Sequence, residues 1–150
     1  MKNPILFLLP FAAAAVLLSA VSCHSGNASS ESSDSAKSPV TQLSGEIESL
    51  HEKTMNKIAP MRRMEDSLHA HIIRIAAQKG DTTQLTAAAA RLNSCDTTMF
   101  GWMGRYDMQL EGKTDSGKAQ YLRGQVAELT RIDQSIDSAI AEAKGLLGNQ

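Results

Sequence analysis

The sequence predicts an all-α protein that folds as an up-down-up bundle of three long antiparallel helices. Apolar residues recur at intervals of three and four along most of the chain after Pro39, and two glycine-containing breaks divide this pattern into three segments. No segment has the features expected of a strand. Short connections force neighbouring helices to run antiparallel, so their apolar faces can be buried only against one another.

The first helix is predicted over about residues 40–78. Pro60 lies inside it, where the missing N–H and the ring clash with the preceding turn predict a kink or a break. Lys79 and Gly80 are expected to end the helix, with the glycine in the left-handed cap conformation. The apolar stripe of this helix consists of Leu43, Ile47, Leu50, Ile58, Met61, Leu68, Ile72 and Ile75.

The second helix is predicted over about residues 82–110, with Asp81 as its capping residue. Its apolar stripe consists of Leu85, Ala89, Leu92, Met99, Met103, Tyr106 and Leu110.

The third helix is predicted over about residues 116–147, after a turn at 111–114 and a cap at Asp115 or Ser116. Its stripe has the most regular spacing in the chain, and a stripe of this kind could be buried by a partner as readily as by the chain's own core. It consists of Leu122, Val126, Leu129, Ile132, Ile136, Ile140, Ala143 and Leu147.

The beginning of the chain has the pattern of a lipoprotein export signal. Lys2 supplies a positive charge, and residues 5–18 form an apolar stretch too short to span a bilayer, which needs about 20 residues. Small residues then lead into Cys23, the arrangement in which a diacylglycerol is attached to the thiol and residues 1–22 are removed. Ordinary secretion with cleavage nearby is the alternative.

Residues 23–39 are predicted to be a lipidated cysteine followed by a flexible tether, and residues 40–148 the helical domain. The tether is rich in serine and contains no large apolar side chain after Cys23, so it cannot bury enough surface to offset the entropy lost on ordering. The lipid on Cys23 would then attach the domain to a membrane.

Composition excludes several function classes. The 15 basic and 16 acidic residues are interspersed, so no basic patch indicates a nucleic-acid partner. The sequence has no nucleophile elbow, phosphate-binding loop or metalloprotease helix, and we expect no enzymatic activity. With Cys23 acylated, Cys95 has no disulfide partner in its own chain, so it is either a small buried side chain or a thiol available to another chain.

Folding the predicted helices about their turns places a cluster of aromatic, imidazole and thioether side chains in one layer of the bundle. The pairs His51 with Met55 and Met99 with Met103 are each four residues apart on one helix face. Imidazole and thioether groups are suited to copper(I), although methionine also fills gaps in helical cores. The residues predicted to share the layer are His51, Met55, Trp102, Met103, Tyr106 and Tyr121, and the candidate ligand or metal cluster is His51, Met55, Met99, Trp102, Met103 and Tyr106.

Gly101 and Gly104 flank Trp102, although each glycine costs about 1 kcal/mol relative to alanine in a helix. Gly101 is predicted to lie level with Pro60. The two glycines therefore mark either a tight crossing of the helices or a notch for a ligand.

A zinc site is a weaker hypothesis. His69 and His71 have acidic residues nearby, but side chains two apart on a helix point to different faces. We therefore expect both histidines on the margins of the buried stripe, in contact with solvent.

Two segments resemble a family of small uncharacterised lipoproteins of the Bacteroidota, sometimes labelled by similarity to viral A-type inclusion protein. They are His51-Glu52-x-x-Met55 and Met99-x-x-Trp102-Met103-x-x-Tyr106, and the resemblance covers nearly the whole mature chain. The family pattern has aspartate at position 52 and phenylalanine at 106. The resemblance implies a helical lipoprotein of the cell envelope and names no activity.

The resemblance also implies a location and a modification. In such bacteria, acidic residues directly after the lipidated cysteine direct a lipoprotein to the cell surface; here the first are Glu31 and Asp34. This spacing favours an outer-membrane lipoprotein that faces the periplasm over one at the cell surface. Asp34-Ser35-Ala36 is similar to the O-glycosylation motif of these bacteria, which makes Ser35 a candidate site.

Two functional hypotheses follow from the sequence. The first is a non-enzymatic, lipid-anchored bundle that binds another envelope protein or associates with itself. The second is a module that binds a small ligand or copper through the His/Met/Trp cluster. No other cofactor is expected.

Overall fold

The computed structural model describes residues 38–148, which form three α-helices packed against one another and contain no strand. They are α1 (Pro39–Ala77), α2 (Thr83–Arg105) and α3 (Asp115–Gly148). The predicted all-α three-helix bundle is confirmed. The predicted signal peptide, the lipidation site Cys23 and the glycosylation candidate Ser35 lie outside the described residues.

α1 begins one residue earlier than predicted. The Ser38 hydroxyl accepts a hydrogen bond from the Thr41 amide at 3.2 Å, and Pro39 occupies the first helical position, where its missing N–H has no structural consequence. The helix then runs without interruption through Pro60, so of the two predicted outcomes the break is excluded and the kink stays a prediction.

The end of α1 differs from the prediction in which residue adopts the left-handed conformation. Lys79 has φ 58°, its amide donates to the carbonyl of Ala76, and the amide of Gly80 donates to that of Ile75. These two bonds define a Schellman motif with lysine in the usual glycine position. Gly80 is required for a different reason, because a Cβ there would lie 2.7 Å from Cγ2 of Ile75.

α2 begins one residue later than predicted and ends earlier. Its N-cap is Thr82, which makes no side-chain capping hydrogen bond, so the prediction that Asp81 is the capping residue is wrong. Asp81 lies one residue before the cap, where its carboxylate accepts hydrogen bonds from the amide and the hydroxyl of Thr83. The predicted extension to residue 110 is wrong, because the backbone turns to an extended conformation at Tyr106, with ψ 117°.

The segment between α2 and α3 is held by Asp107. Its carboxylate accepts hydrogen bonds from the amides of Gln109 and Leu110 and from the ammonium group of Lys113. Leu110, with φ 53°, has a buried side chain although it lies outside any helix. The cap of α3 is Thr114 rather than Asp115 or Ser116, because the Thr114 hydroxyl accepts from the amide of Gly117.

The three predicted apolar stripes meet in one core. Helix α3 faces both other helices, so its stripe is used within the chain and does not by itself indicate an external partner. Cys95 is free and buried, which agrees with the first of its two interpretations, a small buried side chain. The largest fully buried apolar side chains are Trp102, Met61, Leu68, Leu92, Met99, Leu122, Leu129 and Ile136.

Helices α1 and α3 run parallel with a constant offset in residue number. Lys53 donates to Asp133 at 2.8 Å and Lys57 donates to Asp137 at 2.6 Å, and each pair is separated by 80 positions. These ion pairs fix which turn of α1 faces which turn of α3.

None of the helices in residues 38–148 combines the length and the apolar character that crossing a membrane requires.

Candidate functional site: an aromatic groove between α1 and α2

An open groove of about 480 Å³ lies between the first half of α1 and the end of α2. We call it the aromatic groove. Its lining comprises Ser44, Ile47, Glu48, His51, Trp102, Met103, Tyr106 and Met108.

A continuous row of aromatic rings forms one wall of the aromatic groove and extends to α3. The ring centroids of His51 and Trp102 lie 5.9 Å apart, those of Trp102 and Tyr106 5.1 Å, and those of Tyr106 and Tyr121 6.3 Å. The last two pairs are nearly parallel, an arrangement that stabilises aromatic clusters. All four rings were predicted to share one layer of the bundle, and in the structure they lie together.

Hydrogen bonds hold two members of the row, Trp102 and Tyr121. The indole N–H of Trp102 donates to Oε1 of Gln125 at 2.9 Å, which satisfies the one polar atom of an otherwise buried side chain. The amide of Asp107 donates to the Tyr121 hydroxyl at 2.8 Å. The groove wall is thus tied to α3 at two points.

Burial and nearby charge shift the pKa of Tyr106, whose side chain lines the groove. Desolvation raises the pKa of Tyr106, and the negative charges that Tyr121 and Asp107 can carry raise it further. The phenol of Tyr106 therefore keeps its proton to a higher pH than a solvent-exposed phenol does. Asp107 has the opposite shift, because hydrogen bonds from Lys113 and from the Leu110 amide lower the pKa of its carboxyl group.

The six predicted cluster residues divide into two groups. Four of them line the aromatic groove: His51, Trp102, Met103 and Tyr106. Met99 is fully buried in the core. Met55 is half-buried and packs against the core, and it does not line the groove. Each predicted pair of side chains four residues apart is therefore split between the groove and the interior.

Sequence reasoning missed Met108, which completes the groove. Its side chain is 75% exposed, whereas Met103 is 38% exposed. Met108 was placed inside a predicted helix, and only the early end of α2 brings it to the groove. The sequence signal that could have revealed this is the acidic residue directly before it, since aspartate readily initiates a turn.

The two glycines beside Trp102 do not mark a tight helix crossing. A Cβ on Gly104 would meet no atom within 4 Å, and one on Gly101 would meet only Nη1 of Arg105, on its own helix, at 3.3 Å. The close-packing interpretation is therefore wrong.

A second polar cluster, which the sequence analysis did not single out, lies between α1 and α3. Asp133 is almost fully buried, and its carboxylate contacts the ammonium groups of Lys53 and Lys57 at 2.8 and 2.6 Å. The hydroxyl of Thr54, also buried, lies 3.1 Å from Asp133 and 2.7 Å from the carbonyl oxygen of Leu50. All buried side-chain nitrogen and oxygen atoms in residues 38–148 have a hydrogen-bond partner, so this cluster is a satisfied structural network.

The histidines of the zinc hypothesis lie apart from both clusters. His69 is exposed with its Nε2 3.7 Å from Glu65, and His71 contacts Arg74 at 3.0 Å. In residues 38–148 no group of three or more histidine, cysteine, aspartate or glutamate side chains is placed to hold a metal ion.

Comparison of this chain with models of protein families, with characterised proteins and with solved structures found no match.

Proposed function

We propose that this chain is a lipid-anchored, non-enzymatic module of the bacterial cell envelope that binds another envelope protein through the aromatic groove. The anchor would be the acylated thiol of Cys23, in the outer membrane with the domain facing the periplasm. This part of the proposal depends on the signal-like segment before Cys23 and on the resemblance to Bacteroidota lipoproteins.

The observation that carries the binding role is the composition of the exposed apolar surface. Four large apolar side chains in residues 38–148 are exposed: Ile73, Phe100, Met103 and Met108. Two of the four line one groove, beside the rings of His51, Trp102 and Tyr106. Aromatic and methionine side chains are enriched where proteins meet, and clustered exposure is more informative than single exposed residues.

The aromatic wall is held in place before a partner binds. Trp102, which lines the groove, and Tyr121, next to it in the row of rings, each make a hydrogen bond, so these rings would lose little side-chain entropy when a partner covers the wall. Glu48 and Ser44 supply polar groups at the edge, as in the polar rim of protein interfaces.

The test is site-specific photo-crosslinking in the bacterium that produces the protein. A photoreactive residue at Met108 should trap a specific envelope protein. Ile73 is the matched control, since its side chain is 71% exposed but lies outside the groove. The adduct at position 108 should disappear when Met103→Asp is added to the chain that carries the photoreactive residue. A partner that covered the groove would have to desolvate the new carboxylate.

Three outcomes would each contradict part of this proposal. Equal adducts from positions 108 and 73 would indicate nonspecific contact. Adducts containing only a second copy of this chain would replace the envelope partner by self-association. Palmitate labelling that persists in Cys23→Ser would remove the proposed anchor.

A further inference from the structure

Three soft or borderline metal-binding side chains converge on the aromatic groove from three different segments. His51 comes from α1, Met103 from the last turns of α2, and Met108 from the α2–α3 connection. From this arrangement we propose that the aromatic groove binds copper(I) through the imidazole of His51 and the thioethers of Met103 and Met108.

The exposure of the two methionines separates them from the methionines of the core. Met61 and Met99 are fully buried and fill space between helices, the usual role of methionine in a bundle. Met103 and Met108 leave 38% and 75% of their surface exposed, so core packing does not account for them. Both side chains line the groove.

The imidazole of His51 is available for coordination. Its ring lies beside Trp102 at a tilt of 34°, and within residues 38–148 neither of its nitrogens makes a hydrogen bond. A half-buried imidazole next to thioethers provides a mixed nitrogen and sulfur donor set. Such soft donors select copper(I) over magnesium or calcium, which require oxygen ligands.

The backbone around Met108 is fixed in advance. On one side the Asp107 amide is bound to the Tyr121 hydroxyl, and on the other the amides of Gln109 and Leu110 are bound to the Asp107 carboxylate. Met108 therefore projects from a braced turn. A site assembled on braced segments loses less entropy on binding than one built on a mobile loop.

This donor set differs from the one that the sequence suggested. The earlier set contained Met55 and Met99, which lie against or within the core, and it lacked Met108. The two sets make opposite predictions for Met55→Leu and Met108→Leu, so one titration series distinguishes them.

The experiment uses the full chain purified in mild detergent, without oxygen, with copper(I) delivered from a chromogenic competing chelator. We expect one equivalent of copper(I) to bind and to quench the fluorescence of Trp102, the only tryptophan in the chain, because its ring lies beside His51. Met103→Leu, Met108→Leu and His51→Gln should each weaken binding about tenfold or more, a loss that even outer-shell partners of metal ligands can cause.

Met55→Leu is the matched control, a substitution of similar volume at a methionine outside the groove lining, and it should leave copper(I) affinity unchanged. Helicity measured by circular dichroism confirms that each variant is folded. Failure of the chain to compete with the chelator would overturn the proposal, as would quenching that survives in the Met103→Leu/Met108→Leu double variant.

The copper proposal and the protein-partner proposal can be contradicted independently of each other. Adducts at position 108 without copper(I) binding would leave the groove as a protein-binding surface only. Copper(I) binding without adducts would leave it as a metal site only.

Discussion

Lys79 ends α1 with its backbone in the left-handed region, at φ 58°, where an L-residue is disfavoured by about 1 to 2 kcal/mol. Replacing it with glycine removes the clash of the Cβ, although glycine also increases the entropy of the unfolded chain. We expect Lys79→Gly to raise the free energy of unfolding by about 0.5 to 1 kcal/mol in urea denaturation.

The neighbouring glycine supplies the control for that substitution. Gly80→Ala should destabilise the protein, because its Cβ would lie 2.7 Å from the side chain of Ile75 and 3.3 Å from the Ile75 carbonyl oxygen. If both substitutions had the same sign, the assignment of the strained position to Lys79 would be wrong.

Asp133 is the residue whose role was least visible in the sequence. It occupies the apolar stripe of α3, four residues after Leu129 and three before Ile136, which marks it as buried. Its partners Lys53 and Lys57 lie on another helix, α1, and Lys53 is 80 positions earlier in the chain. Periodicity places a residue on a face but does not give the register between two helices, so these partners could not be named.

The ion pairs of Asp133 predict a pH dependence of stability. Burial alone would raise the pKa of this carboxyl group, but hydrogen bonds from Lys53, Lys57 and Thr54 outweigh it and hold the pKa below its ordinary value. The unfolded carboxyl titrates near pH 4. A group whose pKa is lowered by folding contributes stability above that pH, and the contribution is lost as pH falls through the folded pKa.

Asp133→Asn is therefore expected to lower the free energy of unfolding at pH 7 by about 2 kcal/mol, since the partly buried ammonium group of Lys57 loses a charged partner but retains Asp137. Urea denaturation between pH 7 and pH 2.5 measures the effect. The difference between the parent and the variant should shrink below about pH 4. A difference that stays constant over this range would exclude the carboxylate charge as its cause.

At the scale of elements, the sequence was sufficient for the number, order and nature of the helices and insufficient for one boundary. α1 and α3 lie within one residue of their predicted limits, but α2 ends at Arg105 instead of 110. Tyr106 and Leu110 retain helical spacing and remain at least half-buried after the backbone has left the helix. A turn that returns its apolar side chains to the core therefore imitates a helix in the hydrophobic pattern.

The groove, like the helices, could be predicted from the sequence only in part. The alignment of Tyr106 with Tyr121 follows from the position of the second turn, and the rings stack accordingly. Met108 could not be assigned to the groove, because its place depends on the helix end that the pattern concealed. Met55 and Met99 of the predicted ligand cluster do not line the groove, because a spacing of four residues can also turn a side chain toward the core.

Pro60 gives a prediction about α1 as a whole. The helix is continuous through it, yet proline removes one backbone hydrogen bond and costs up to about 3 kcal/mol in a helix interior. We expect Pro60→Ala to increase the free energy of unfolding by about 1 to 3 kcal/mol and to leave helicity unchanged. Lower stability would show that the packing of α1 depends on the local backbone geometry that proline imposes.

At the scale of the whole molecule, one connected core predicts one cooperative unfolding transition. The buried residues of α1, α2 and α3 form a single cluster, so no helix can detach without exposing the apolar faces of the other two. The fluorescence of Trp102 reports on the end of the core that adjoins the groove. Circular dichroism reports on all three helices, and the two signals should give the same urea midpoint.

Leu68→Ala tests this cooperativity over a distance. Leu68 is fully buried, and along α1 it lies about 25 Å from His51, which packs against Trp102. The substitution should cost about 2 to 5 kcal/mol and lower both midpoints equally, because the groove cannot remain folded after the far end of the core has opened. Ile73→Ala, at an exposed position of the same helix, should change stability by less than about 0.5 kcal/mol. A fluorescence midpoint that stays in place while the dichroism midpoint falls would mean that the groove end folds as a unit of its own, and the bundle would then have to be described as two coupled layers.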